Sequence, residues 1–346
     1  MTDLVEQVRS AGLIAPGRPI VVMYSGGRDS TCLLDVAVRI AGRAAVRALH
    51  VEYGLRAAAG EDARHCELMC EELGVAIAVR HPRHGPGEGN VQAWARRERY
   101  AAAAALAAEL DRARSPEAAE RCPAEVAAGH TASDQAETIL YRLASSPSRR
   151  ALLGMRAHTP ARPGRPALVR PLLATTREQT TAHCRARGLR YRDDETNDSP
   201  AYARGRIRAE LLPAFERVHP AAVANLATAA EVLADEAAVL DQLVDAVLAG
   251  EAEGTISLAV LRAQPPALRR LIVQQLADGA AGEPAAGVAR RAEEVAALPA
   301  RGTASLHLPH GVRATVQEGI VRFDLTPPVP PRISSHPPLD IDSGAA

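Results

Sequence analysis

Ile20-Val21-Val22-Met23-Tyr24-Ser25-Gly26-Gly27-Arg28-Asp29-Ser30-Thr31-Cys32-Leu33-Leu34 is the stretch that decides the fold. The apolar run over residues 20–24 has the length and continuity of a strand buried on both faces of a parallel sheet. Gly26 and Gly27 permit a tight turn and a close backbone approach that a Cβ would resist. Asp29, Ser30 and Thr31 suit the first turn of a following helix, where unpaired N–H groups need acceptors. Strand, glycine turn and helix together present N–H groups and a positive helix end to an anion, most simply a phosphate. A Gly-Gly pair alone would be an ordinary turn. The whole Ser-Gly-Gly-x-Asp-Ser string, placed directly after a strand, favours a nucleotide site. It is not the Gly-Lys-Ser/Thr loop of the P-loop NTPases. The chain contains no lysine, so all 41 basic residues are arginine. A kinase or GTPase mechanism built on a P-loop lysine therefore loses its main residue.

At 346 residues the chain is long enough for two domains with a sizeable core. The composition is 47% hydrophobic but only 3% aromatic, which suggests helices packed through alanine and aliphatic side chains. No apolar run reaches the roughly 18 residues of a membrane span, so no membrane partner is expected. The N-terminus lacks the basic-then-apolar order of a signal peptide. Cys32, Cys66, Cys70, Cys122 and Cys184 are odd in number and scattered. They point to reduced thiols and a cytoplasmic location rather than a disulfide framework. A formal net charge of zero argues against indiscriminate polyanion binding, while leaving room for a local basic face.

Outward from the glycine turn, a short helix is expected over residues 3–11 and further strands over 45–51, 75–79 and 125–129. Helices fill 60–73, about 90–110 and 132–143, and residues 111–123 have loop composition. Strands alternating with helices predict an α/β fold with a parallel sheet covered on both faces. Ligands of such sheets sit at the carboxyl ends of the strands, where the Ser25 turn, His50 and His130 would lie together. Between Thr138 and Arg177 there are eight arginines and no Asp or Glu. This is either a solvated loop or a phosphate-contacting surface. A second basic cluster, Arg204-Gly205-Arg206-Ile207-Arg208, follows an acidic turn at 193–198, and on a helix Arg204 and Arg208 share a face. The expected division is a catalytic domain over 1–216, a mainly helical domain over 217–326 and a flexible tail over 327–346. Helices are expected over 221–249, 259–277 and 286–298. A small β-meander follows over 304–308, 313–317 and 320–324, with turns at His310-Gly311 and Glu318-Gly319.

Gly129-His130-Thr131-Ala132-Ser133-Asp134-Gln135-Ala136-Glu137-Thr138 is the second chemical signal. Asp134 and Glu137 at i, i+3 fall on one helical face. They could hold magnesium on a phosphate, orient an amine or take its proton, or simply complement the helix dipole. The third signal is Asn90-Val91-Gln92-Ala93-Trp94-Ala95-Arg96-Arg97-Glu98-Arg99-Tyr100. One arginine of this helix could stabilise charge on a transferring phosphoryl group, or all could be solvated; spacing alone does not choose.

The Ser25 string resembles the PP-loop of the ATP pyrophosphatase superfamily, which cleaves ATP to AMP and pyrophosphate. The narrower resemblance is to the tRNA(Ile)-lysidine synthetase family. It rests on that loop, the segment 50–56, the Ala-Arg…Arg-Tyr helix and Gly-His…Asp-Gln-Ala-Glu-Thr. Arg170-Pro171-Leu172-Leu173, Asp193-Asp194-Glu195-Thr196-Asn197, Tyr202 to Arg208 and Leu211-Leu212-Pro213 continue it, over about residues 18–220. The resemblance implies a PP-loop (adenine nucleotide alpha hydrolase-like) domain followed by a tRNA-binding domain. It implies ATP and Mg2+ as substrate and metal, with L-lysine and a tRNA(Ile) bearing a CAU anticodon as partners. ATP would adenylate O2 of cytidine 34, and the lysine amine would then attack C2 and release AMP, changing decoding from AUG to AUA. By the same resemblance Ser25, Gly26, Gly27, Arg28, Asp29, Ser30, His50 and His130 would bind ATP. Asp29, Arg96, Asp134 and Glu137 would be catalytic, with Asp29 and Asp134 near magnesium. Arg149, Arg150, Arg204, Arg206 and Arg208 would hold tRNA. A homodimer is compatible with the sequence.

The chain departs from the family pattern at Glu52 and Tyr53, at Ser133, at Gly205, and at 144–150, where the family usually carries Arg-Gly-Ser-Gly. Two other functions fit parts of the same pattern. A PP-loop tRNA thiolase also adenylates a pyrimidine but delivers sulfur through cysteines, and Cys66 and Cys70 stand four apart. A non-catalytic tRNA-binding homologue would keep the fold without turnover.

Overall fold

The computed structural model describes residues 3–55, 59–85, 87, 90–145, 149–192 and 203–326. The acidic turn at 193–198, Tyr202, Arg56, residues 146–148, most of the loop at 85–89 and the tail at 327–346 lie outside these, as does the Arg150 side chain. The chain divides into two compact units, 1–235 and 236–346.

The first unit begins with α1 (Leu4–Ser10), capped by the Asp3 side chain on Val5 N. Then come β1 (Ile20–Met23), α2 (Arg28–Ala41), β2 (Val46–Val51), α3 (Ala59–Leu73), β3 (Ala76–Arg80) and α4 (Val91–Arg112). Next are α5 (Pro116–Arg121), β4 (Glu125–Ala128), α6 (Ala132–Ser145), α7 (Arg149–Leu152), β5 (His158–Thr159), β6 (Leu168–Val169) and α8 (Arg177–Ala186). The six strands form one sheet in the order β3-β2-β1-β4-β6-β5. All pairings are parallel except β5 with β6, which closes that edge antiparallel.

Alternation along the central strands builds a core on each face. Ile20, Val22 and Tyr24 turn to one side with Val46, Ala48 and Ala127, against Leu33 and Val36 of α2 and Met69 of α3. Val21 and Met23 turn to the other with Leu49, Val51 and Val126, against Ala103, Leu106 and Ala107 of α4. The expected doubly covered parallel sheet is present. The register Met23↔Leu49 and Met23↔Ala128 aligns the carboxyl ends of β1, β2 and β4. The Ser25 turn, His50 and Gly129-His130 therefore share one edge.

Helices α5, α7 and α8 go beyond the sequence expectation, as does the helix over Leu212–Val218. The stretch 111–123, expected as loop, contains α5, begun by a Ser115 cap and a proline in the first turn. α8 begins with a reciprocal capping box between Thr176 and Gln179. Both start signals were legible but sat in short segments of weak apolar periodicity.

After α9 (Ala203–Arg206), a π-helical turn covers Ile207–Leu211 and leads into α10 (Leu212–Val218) and α11 (Ala222–Leu248). The second unit carries β7 (Thr255–Ser257), α12 (Leu258–Ala263), α13 (Pro266–Ala281), α14 (Ala292–Ala297), β8 (Thr303–His307), β9 (Val312–Gln317) and β10 (Ile320–Leu325). The helix expected over 259–277 is two helices, because Pro265 cannot continue α12 and Pro266 starts α13. The expected meander is present as β8–β9–β10, and β7 extends it to a four-stranded sheet, order β7-β10-β9-β8. Its inward positions Val312, Ala314, Val316, Val321 and Phe323 pack with Ile272, Val273 and Leu276 of α13. Among the described residues no helix is long and apolar enough to cross a membrane.

Candidate active site

The turn after β1 is held by its own hydroxyls. Ser30 Oγ donates to the Gly27 carbonyl at 2.9 Å and lies 3.2 Å from Ser25 N and 3.1 Å from Ser25 Oγ. Gly26 has φ +81°, a conformation that side chains with a Cβ resist, and a Cβ there would stand 3.0 Å from Cys66 Sγ. The neighbouring β4 end is equally tight. A Cβ on Gly129 would lie 3.1 Å from the Asp29 carbonyl oxygen and 3.2 Å from Ser30 Cα. Glycine at 129 thus lets the start of α6 abut the start of α2, which brings the two chemical motifs together.

Asp29 is already clamped. Arg28 Nε and Nη2 reach its two oxygens at 3.0 Å each, and Thr180 Oγ1 of α8 donates to Oδ1 at 2.7 Å. α8 is anchored to α2 below this contact, where buried Asp35 accepts from His183 Nε2 at 2.8 Å and from Arg187 at 3.5 Å. Burial alone would raise the Asp35 carboxyl, but those hydrogen bonds prevail and hold it below its ordinary value. No motif pointed to Thr180 or His183, since both act across some 150 residues of chain.

The two edge histidines have different partners. His50 is buried and its Nδ1 faces the Tyr24 carbonyl at 3.1 Å, with Cys66 Sγ 3.4 Å from the same nitrogen. His130 instead receives a hydrogen bond on Nδ1 from Arg170 Nε at 3.2 Å. Burial, then the positive charges of Arg170, Arg99, Arg96 and Arg204, push its pKa down to about 3. Arg96, expected as a candidate for phosphoryl stabilisation, therefore faces this part of the edge. It is exposed, with its guanidinium 4.7 Å above the Tyr100 ring. Arg170 went unassigned by sequence reasoning, although it heads the Arg-Pro-Leu-Leu motif.

On α6, Glu137 is almost fully buried, and Arg208 grips it through Nε at 2.6 Å and Nη2 at 2.9 Å. Burial raises the Glu137 carboxyl against the opposing pull of Arg208. Asp134 Oδ2 accepts from the backbone and hydroxyl of Thr131 at 2.9 and 3.0 Å, so it does serve the first helical turn. Its Oδ1 lies 3.8 Å from Arg208 Nη2. Asp134, Glu137 and Arg208 form one cluster with a net single negative charge.

The basic residues are distributed unevenly. Arg204 and Arg206 are exposed on α9, and Arg149 is half-buried on α7. Arg208 pairs with the α6 acids, its side chain one-third exposed. Arg142 donates to the Gly154 carbonyl inside the arginine-rich stretch. A cleft of about 520 Å³ runs between the end of α6 and the π-helical turn, lined by Tyr141, Ala144, Arg206, Ile207 and Leu211. Among the described residues no three His, Cys, Asp or Glu side chains gather as a metal cage. Magnesium commonly binds through one or two carboxylates and substrate phosphates, and Asp134 Oδ1 fits that mode better than the clamped Asp29. Cys66 and Cys70 offer little reactivity: burial pushes their thiols up to about 12.

A PP-loop domain family matches residues 2–215. The chain is 36% identical over 339 residues to a tRNA(Ile)-lysidine synthase of Symbiobacterium thermophilum, covering 92% of this chain and 67% of that protein. It is 36% identical to a tRNA(Ile)-lysidine synthase of Salinispora tropica, with 88% of this chain and 90% of that one covered. Among solved structures, a U34-tRNA thiolase from Methanococcus maripaludis with its [4Fe-4S] cluster matches with TM-score 0.51 and 16% identity, over 66% of this chain and 77% of that one. That likeness extends to the fold alone. On the strength of the PP-loop match and the long, well-covered sequence matches, the chain belongs to the tRNA(Ile)-lysidine synthase family of PP-loop proteins.

Proposed function

We propose that the protein is a tRNA(Ile)-lysidine synthetase, an ATP-dependent carbon–nitrogen ligase that joins the side-chain amine of L-lysine to C2 of cytidine 34 in a CAU anticodon. The observation that carries this is the packing of Gly129 against the backbone of Asp29 and Ser30. It brings the start of α6, with Asp134 and Glu137, close to the glycine turn after β1, which supports adjacent positions for ATP and an ammonium group.

In the first half-reaction O2 of the cytosine attacks the α-phosphorus of ATP, and pyrophosphate leaves from the Ser25–Ser30 turn. Arg28 is placed to exchange its Asp29 partner for a phosphate oxygen, which would release Asp29 toward Mg2+. Arg96 would offset charge on the transferring phosphoryl group, and His50 and His130 would line the nucleotide. In the second half-reaction the lysine amine attacks C2, the C–N bond forms, and AMP departs with its oxygen. The ammonium would dock on the Asp134–Glu137–Arg208 cluster, and Asp134, the less buried carboxylate, would take the proton lost before attack. Cytidine 34 belongs to a single-stranded loop, so it can be splayed out without breaking a duplex. Arg149, Arg150, Arg204 and Arg206 would contact tRNA phosphates, and the exposed ring of Tyr141 offers a stacking face.

The test is transfer of labelled lysine to a CAU-anticodon tRNA(Ile) transcript with ATP and Mg2+, against a C34→U transcript. Transfer requiring both ATP and C34 is expected. Folded protein that binds ATP yet transfers no lysine would refute the proposal.

A further inference from the structure

Arg170 follows β6 and is 7% exposed, a deeply buried place for a guanidinium. Its Nε stands 3.2 Å from His130 Nδ1. An arginine side chain has donors and no acceptor, so Nδ1 must accept and can carry no proton. The proton of the imidazole is then on Nε2. Arg170 is not free to turn away, because its Nη1 donates to the Arg156 carbonyl at 2.6 Å and faces Thr159 Oγ1 at 3.4 Å. The charges around the ring act in the same sense. Arg96 and Arg99 of α4 and Arg204 of α9 join Arg170 in disfavouring imidazolium, as does burial. The nearby α6 carboxylates are engaged with Thr131 and Arg208. His50, at the end of β2 on the far side of β1, has other partners: its Nδ1 stands 3.1 Å from the Tyr24 carbonyl and 3.4 Å from Cys66 Sγ.

We propose that Arg170 is a positioning residue that holds His130 as a neutral imidazole with its proton on Nε2, and that this N–H donates to an oxygen of bound ATP. His130 then takes no part in accepting the proton of the lysine amine. The inference rests on the nucleotide site of the proposed function, and not on which group is finally transferred. It differs from the ordinary expectation for a histidine at a reaction centre, which is to titrate near neutrality and shuttle protons.

The test uses the full chain labelled with ¹⁵N-histidine, with long-range proton–nitrogen spectra recorded from pH 5.5 to 8.5 and the His130 signal assigned by its loss in His130→Gln. The expected spectrum shows the Nε2–H tautomer, unchanged across the range. An Nδ1–H tautomer, or titration near the ordinary histidine value of about 6.5, overturns the proposal. This reading needs no variant of Arg170, so it stands even where Arg170→Met fails to fold. Where that variant folds, His130 should begin to titrate. ATP affinity supplies the second arm. A glutamine amide can occupy the place of Nε2, while an asparagine amide reaches only that of Nδ1. His130→Gln should bind ATP within about threefold of wild type, and His130→Asn roughly tenfold more weakly. Equal losses in both overturn the donor role. Neither readout involves lysine transfer, so failure of the ligase assay and failure of this inference are separable.

Discussion

Replacing Arg208 with methionine should uncover how much of the α6 acid pair depends on one residue of the π-helical turn. Glu137 is 4% exposed and receives two charge-assisted hydrogen bonds from Arg208. Two opposite charges about 4 Å apart attract by about 4 kcal/mol at an effective dielectric of 20. The Arg208 side chain is 33% exposed, so solvent screening reduces the net loss to about 2 kcal/mol. Trp94 is the single tryptophan, is buried on α4, and reports on the first unit alone. Urea unfolding followed by its fluorescence should shift to lower midpoint by about 1 M in Arg208→Met. The sign of the pH dependence follows from Glu137, whose carboxyl is already raised above its ordinary value of 4.5 by burial. Without Arg208 it rises further, and an acid with a raised folded pKa destabilises the fold most where it is ionised. The deficit should therefore be widest at pH 8 and shrink as pH falls through the folded pKa of Glu137 toward 4.5. The Glu137→Gln, Arg208→Met double variant, which removes both charges of the pair, should recover to within about 1 kcal/mol of wild type. A loss below about 0.5 kcal/mol in the single variant, or one that ignores pH, would refute this account of the pair.

Gly129→Ala should leave the fold cooperative but weaken ATP binding by roughly tenfold, because the new methyl group meets backbone at 3.1 Å and must push Asp29 away; unchanged affinity in a calorimetric titration would contradict it. Asp35→Asn should cost about 3 kcal/mol at pH 7 by leaving buried His183 without its carboxylate. The folded pKa of Asp35 is depressed below its unfolded value of 3.8, so the stability it supplies is present above pH 3.8 and is lost as pH falls through the folded value. Wild type and variant should accordingly converge only in strong acid, as followed by Trp94 fluorescence.

The nucleotide turn was legible because it is local: strand, glycines and helix start are consecutive, and each imposes its own backbone requirement. The same holds for the meander, whose inward positions alternate as a half-buried sheet demands. Legibility failed for contacts made across the chain. Arg208 looked like one more basic residue of a tRNA-facing cluster, yet the π-helical turn and the packing of Leu212 near Ala132 and Ala136 carry it onto Glu137. Arg170 carries no role legible from its motif, because its partner His130 lies 40 residues away, after a different strand. α8 shows little apolar periodicity, and only its capping box, Thr176 with Gln179, marks it in the sequence.

By itself, then, the sequence determined a parallel α/β sheet with an anion-binding turn at its carboxyl edge and a family resemblance along the first two thirds of the chain. These depend on apolar runs, glycines and motif order, which are properties of consecutive residues. Only the tertiary structure decided which arginines are spent on buried acids, and which polar group stands opposite each edge histidine. Those outcomes depend on what stands opposite a side chain at 3 Å, and a buried charge or imidazole takes its state from that neighbour rather than from its own place in the sequence.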